Sequence, residues 1–189
     1  MTRTVTRVSV LCMAIFLLNN AMGQKIAVRD SAAAWASAAK TEEEEINWTI
    51  SGDELVVTSN TESPVVMQDY TQEFRPDWDS ELKSVTSLSV SLISHIGNFA
   101  FYYGSKLEDI NFDNNLESIG SYAFRYCRCV RSLSFPDSVK TIGDGSFSDC
   151  TLLGAIDFGS ITSIGDLSFY GCRALESISL PDTTVSIGN

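Results

Sequence analysis

Apolar and polar positions in the second half of the chain follow a pattern that returns at a fixed interval. A short phrase, Ile-Gly-x-x-Ala/Ser-Phe, reads Ile96-Gly97-Asn98-Phe99-Ala100-Phe101 and then Ile119-Gly120-Ser121-Tyr122-Ala123-Phe124. It recurs as Ile142-Gly143-Asp144-Gly145-Ser146-Phe147 and as Ile164-Gly165-Asp166-Leu167-Ser168-Phe169, and a fifth copy begins at Ile187-Gly188-Asn189. The anchor isoleucines are 23, 23, 22 and 23 residues apart. Other apolar positions keep the same register. Leu107, Val130, Leu153 and Leu175 align, as do Ile110, Leu133, Ile156 and Ile178, and Phe112, Phe135, Phe158 and Leu180. The last two positions of each set are two residues apart with a polar residue between them, which predicts a short strand with one buried face. Leu116, Val139 and Ile161 mark the next corner, where the fourth unit has Thr184. A self-similar period of this size predicts supersecondary units stacked in one direction. A single unit carries too few apolar side chains to offset the entropy of ordering its backbone, so neighbours must share a core.

The pattern also divides the chain. Residues 84–189 form the array, about five units, because Val85, Leu88, Val90 and Ile93 already match Leu153, Ile156, Phe158 and Ile161. Truncation at the C-terminal side is expected, since no closing segment follows Asn189. Residues 47–83 lack the phrase. Trp48-Thr49-Ile50, a Ser51-Gly52-Asp53 turn and Leu55-Val56-Val57 predict a hairpin, followed by Met67, Tyr70, Phe74 and Trp78. This aromatic-rich segment is suited to cover the bare edge of the first unit as an N-terminal β cap. Residues 24–46 are an Ala- and Glu-rich lead-in, with a helix near Asp30 and a mobile linker as equal readings. Residues 1–23 read as a signal peptide: Arg3 and Arg7, an apolar run from Val8 to Leu18, then Ala21-Met22-Gly23. The run is short for a membrane span, and no transmembrane segment is expected in the mature chain.

Charge narrows the partners. The chain has 13 basic and 24 acidic residues, a net charge of −11. Loss of Arg3 and Arg7 with the signal peptide makes the balance more acidic, which disfavours nucleic acid and anionic membranes. The polar positions flanking the strand core would stack into one continuous sheet face. They are Glu108, Asp109 and Asn111, then Arg131, Ser132 and Ser134, then Gly154, Ala155 and Asp157, and last Glu176, Ser177 and Ser179. They vary from unit to unit while the apolar ones do not. That face is the candidate protein-binding surface, and a plain solvated face is the alternative.

Little in the sequence points to catalysis. His95 is the one histidine and precedes the first anchor, where other units have Ser118, Thr141, Ser163 and Ser186, so it is expected to face solvent. A single histidine in that setting assembles no Ser-His-Asp arrangement. Cys127, Cys150 and Cys172 each lie eight residues after an anchor and should form a column. Buried free thiols and a disulfide between neighbouring units are both open readings. With Cys129 they make a poor metal site, because stacked ligands line up instead of surrounding an ion, so neither a metal nor a cofactor is expected. The glycine after each anchor marks a close approach between units or a tight turn. Asn47-Trp48-Thr49 is a glycosylation sequon, making Asn47 a modification candidate.

The full phrase Ser-Ile-Gly-x-x-Ala-Phe-x-x-Cys-x-x-Leu-x-x-Ile-x-Phe-Pro resembles the BspA-like leucine-rich repeat family. Ser118 to Pro136 and Ser163 to Pro181 follow it closely, and Asp113 and Gly159 replace the proline in two units. The resemblance covers roughly residues 46–189 and implies a mostly β repeat solenoid. This would be a right-handed superhelix of stacked parallel strands and short helical turns. It also implies a secreted or cell-surface protein, not an enzyme, that binds proteins such as extracellular matrix or host or partner-cell surface proteins. A structural spacer from a larger surface protein, with no ligand of its own, is the second reading.

Overall fold

The period reappears in space as a stack. The structure, a computed structural model, describes residues 46–189; the segments read above as a signal peptide and, but for Ile46, as a lead-in lie outside the described residues. Equivalent residues of successive units pair in parallel, one unit per layer. On one side a ladder of six strands runs the length of the array: β3 (Val65–Val66), β5 (Ile93–Ile96), β7 (Ser118–Ile119), β9 (Thr141–Ile142), β11 (Ser163–Ile164) and β12 (Ser186–Ile187). Ile96, Ile119, Ile142, Ile164 and Ile187 are in register within it. The opposite side carries β1 (Ile46–Ser51), β2 (Glu54–Ser59), β4 (Ser87–Ser91), β6 (Asp109–Phe112), β8 (Ser132–Ser134) and β10 (Ala155–Asp157).

Between the two sides lies a shared core of superposed columns. Phe101, Phe124, Phe147 and Phe169 stack with centroids 5.1, 5.1 and 5.8 Å apart. Phe112, Phe135 and Phe158 form a second column. The two columns interlock edge to face, with Phe112, Phe135 and Phe158 each 5.6–5.8 Å from Phe124, Phe147 and Phe169 respectively. Offset and edge-to-face rings are the geometries the aromatic quadrupole favours. The anchor glycines allow the layers to approach. A Cβ on Gly120 would stand 2.6 Å from the Asn98 nitrogen, and one on Gly143 2.7 Å from the Ser121 nitrogen.

Residues 97–104 and their equivalents were expected as short helical turns. They are instead overlapping i to i+3 turns whose alternate amides leave the turn for the next layer. Ala100, Tyr102 and Gly104 donate to Gly97, Phe99 and Phe101, while Phe99, Phe101 and Tyr103 donate to Ser121, Ala123 and Arg125. This alternation places Phe99, Tyr103, Tyr122, Tyr126, Asp149 and Leu167 in the left-handed region, where Gly145 and Gly171 also sit. Such a backbone cannot propagate a helix. The one helix among the described residues is α1 (Asp79–Leu82), ahead of the array.

The segment before the array carries no repeat phrase, yet it is laid down as a layer. β1 and β2 form the expected antiparallel hairpin, with Trp48 opposite Val57 and Gly52 at φ 67° in the turn. β2 then pairs in parallel with β4, Leu55 opposite Leu88 and Val57 opposite Val90. Trp78 takes the place of the column phenylalanine: it stacks 5.7 Å from Phe101 and its indole N–H donates to Ala100 O at 3.0 Å. Arg75 fixes the same segment to the first turn, donating to Phe99 O and Tyr102 O while pairing with Asp79.

Candidate functional site

The strand side was expected to present one continuous sheet, and it does not. β1, β2, β4 and β6 form one sheet, β8 and β10 a second, and Glu176–Ser179 adopt no strand. The layers differ in the residue at the corner after each strand. Asp113 follows β6, and its amide donates to Val90 O at 3.2 Å, extending the pairing with the layer before it. Pro136 and Pro181 hold the same corner in the third and fifth layers, and a proline has no N–H to give. Gly159, at φ 52°, takes the corner of the layer that does pair with its predecessor. Pairing with the preceding layer is present at the Asp113 and Gly159 corners and absent at the two proline corners, although the Gly159 amide itself turns back to Asp157 Oδ1 at 3.1 Å.

All twelve flanking positions are nonetheless exposed, among them the ten polar candidate residues Glu108, Asp109, Asn111, Arg131, Ser132, Ser134, Asp157, Glu176, Ser177 and Ser179. Leu133 is buried between Ser132 and Ser134, and Ile110 between Asp109 and Asn111, so the alternation holds on both sheets. Where the ladder is interrupted between β6 and β8, an open cleft of about 270 Å³ is lined by Ile110, Asn111, Phe112, Ser134, Phe135 and Pro136. Arg131 is the one cation among the candidate residues, beside the acidic Glu108, Asp109, Asp157 and Glu176, and none of the five forms an ion pair among the described residues. The face is a polar, mostly acidic surface with one cation among its candidate residues.

Cys127, Cys150 and Cys172 form the expected column as free, buried thiols. Each S–H donates to a phenylalanine carbonyl of the preceding layer: Phe101 O at 3.5 Å, Phe124 O at 3.4 Å and Phe147 O at 3.3 Å. Burial pushes the Cys127 thiol up to about 12 and that of Cys172 up to about 11, and raises Cys150 as well, with its neighbours' charge adding to the effect. A protonated, carbonyl-bonded thiol is a core filler and not a nucleophile. Cys129 is partly exposed, outside the column. Among the described residues no cluster of His, Cys, Asp or Glu is placed to hold a metal ion. His95 was expected to face solvent; it is half-buried in the six-stranded ladder, with Nδ1 2.6 Å from Ser118 Oγ. Burial lowers its pKa, opposed by the charge of Asp69. Asn47 is exposed on β1.

One cluster was not anticipated. On the turn side, Phe99, Tyr102, Tyr103, Tyr122 and Tyr126 contact one another with centroids 5.1–5.9 Å apart. Arg75, Arg125 and Arg128 stand over these rings. The sequence signal was present: five aromatic residues and two arginines fall in the variable positions of the first two units.

Phe column, anchor glycines and thiol column together define a leucine-rich repeat architecture. The chain belongs to the BspA type leucine-rich repeat family, whose model matches residues 80–189 in six copies. Solved structures show the same fold. A leucine-rich repeat protein of T. pallidum is 23% identical, with 77% of this chain aligned to 80% of that one at a TM-score of 0.54. One from Eubacterium ventriosum is 24% identical at a TM-score of 0.65, with 76% of this chain spanning 37% of that longer chain. No curated protein matches the chain. No helix among the described residues is long and apolar enough to cross a membrane.

Proposed function

We propose that this protein is exported and binds other proteins, such as matrix or partner-cell surface proteins, through its strand side. The observation that carries the reading is the exposure of all ten polar flanking positions beside a core buried at Ile110, Leu133, Phe135 and Phe158, with Ile178 exposed in the last unit. A backbone that repeats while its outward side chains change is a scaffold for recognition. Family membership supports binding over catalysis. In this reading residues 1–23 direct export, 24–46 are a lead-in, 47–83 cap the first layer, and 84–189 are a right-handed repeat array. The interrupted sheet gives the binding face two platforms with an open cleft between them, and its acidic side chains suit basic groups of a partner.

The test is capture of the full chain on decellularised extracellular matrix. Charge reversal by Arg131→Glu or by Glu176→Lys should change capture several-fold, because close charge complementarity at an interface is sensitive to sign. Unchanged capture after all ten positions are replaced would sink the strand-side reading and leave the spacer reading in its place.

A further inference from the structure

We propose that Tyr103, Tyr126 and Arg128, on the turn side of the first two repeats, form a second binding surface that takes an acidic polypeptide segment through its carboxylates. Three guanidinium groups lie against tyrosine rings here, and two are already committed. Arg75 donates to Asp79 Oδ1 at 2.8 and 2.6 Å, to Phe99 O and to Tyr102 O. Arg125 donates to Asp149 Oδ2 at 3.4 and 3.3 Å and to the Tyr126 hydroxyl at 3.0 Å. Arg128 differs from both. It is exposed, its guanidinium carbon lies 5.2 Å from the Tyr126 centroid and 5.9 Å from that of Tyr103, and no carboxylate pairs with it among the described residues. Rings restrain the plane of the guanidinium while its N–H fork keeps its donors, an arrangement matched to a bidentate carboxylate.

The backbone points the same way. Tyr103 and Tyr126 sit at φ 70° and 66°, a region unfavourable for bulky side chains. The equivalent positions in the next two repeats are Asp149 and Gly171, so the repeat does not require a ring there. Burial does not account for both rings, since Tyr103 is 41% exposed. Tyrosine and arginine side by side are the residue types that dominate binding energy at protein interfaces. The chain's 24 acidic against 13 basic residues would repel a dense polyanion at range, whereas one or two carboxylates beside apolar side chains need only the local match. That favours an acidic peptide over a sulfated polysaccharide. The surface is separate from the strand side and stands or falls independently of it.

The experiment uses the full chain and a fluorescein-labelled peptide of alternating glutamate and tyrosine, followed by anisotropy. A matched peptide with glutamine for glutamate and unlabelled heparin serve as controls. The acidic peptide should bind, and the glutamine peptide should bind about tenfold or more weakly, since each charge-assisted bond is worth about that factor. Arg128→Glu should weaken the acidic peptide by a similar factor and Tyr103→Ser by less, while Arg131→Glu on the strand side leaves it unchanged. Arg128 is exposed, so its replacement leaves the core intact. Failure of the unaltered chain to bind the acidic peptide would overturn the proposal, as would equal affinity in Arg128→Glu. Heparin binding tighter than the peptide would overturn it in favour of a polysaccharide.

Discussion

Ser146 is fully buried, and its hydroxyl has no hydrogen-bond partner in the structure, while the equivalent places hold Ala100 and Ala123. Ser168, the other serine at this position, donates to Gly143 O and Gly165 O. An unsatisfied buried hydroxyl costs free energy that a methyl group does not. Ser146→Ala is therefore expected to stabilise the chain by about 1 kcal/mol, whereas Ser168→Ala should destabilise it, both read from urea unfolding midpoints. Thiols give a second prediction at this scale. In the folded chain iodoacetamide at pH 8 should modify Cys129 and spare Cys127, Cys150 and Cys172. A thiol whose folded pKa is raised contributes stability that is complete below the unfolded thiol pKa and is lost as pH rises through the folded one. Stability should accordingly fall between about pH 9 and the folded values of about 11 for Cys172 and 12 for Cys127. Cys127→Ala and Cys172→Ala should each flatten that fall.

Elements in this protein are decided by single corner residues. The parallel core columns were legible because Ile, Phe and Leu recur at one spacing, and a shared interior forces like residues into register. The interruption of the strand side was not read, although its signal stood in the sequence as Pro136 and Pro181 against Asp113 and Gly159. The apolar period reports burial, and the missing amide of a proline changes pairing without changing burial. The layer ahead of the array was hidden for a related reason: β2 and β3 carry no phrase, and only Trp78, 23 residues before Phe101, kept the period. The turn-side aromatic and arginine residues stood in the phrases, but their grouping was not legible, because it depends on left-handed residues that a period does not show. Asp113→Pro tests the corner argument. It removes the amide bonded to Val90 O and the carboxylate that accepts from Leu92 N at 2.8 Å. Loss of these bonds should cost about 2 kcal/mol and raise hydrogen exchange at β6 while β8 and β10 are unchanged. Unaltered exchange at β6 would show that proline does not set the break.

At the scale of the whole molecule, the central claim is that the columns join every layer, from the hairpin to the last turn, into one cooperative interior. Phe147 is fully buried in the middle of the main column, between Phe124 and Phe169, and Trp78 lies at the N-terminal end with Phe101 and Phe124 between it and Phe147. The decisive measurement is urea unfolding of Phe147→Ala, followed both by far-UV circular dichroism and by Trp78 fluorescence in a Trp35→Phe, Trp48→Phe background. A shared interior predicts coincident single transitions, both shifted by about 3–5 kcal/mol, the cost of removing a buried phenylalanine. A Trp78 transition that stays in place while the dichroism shifts would contradict it, showing layers that fold as separate units.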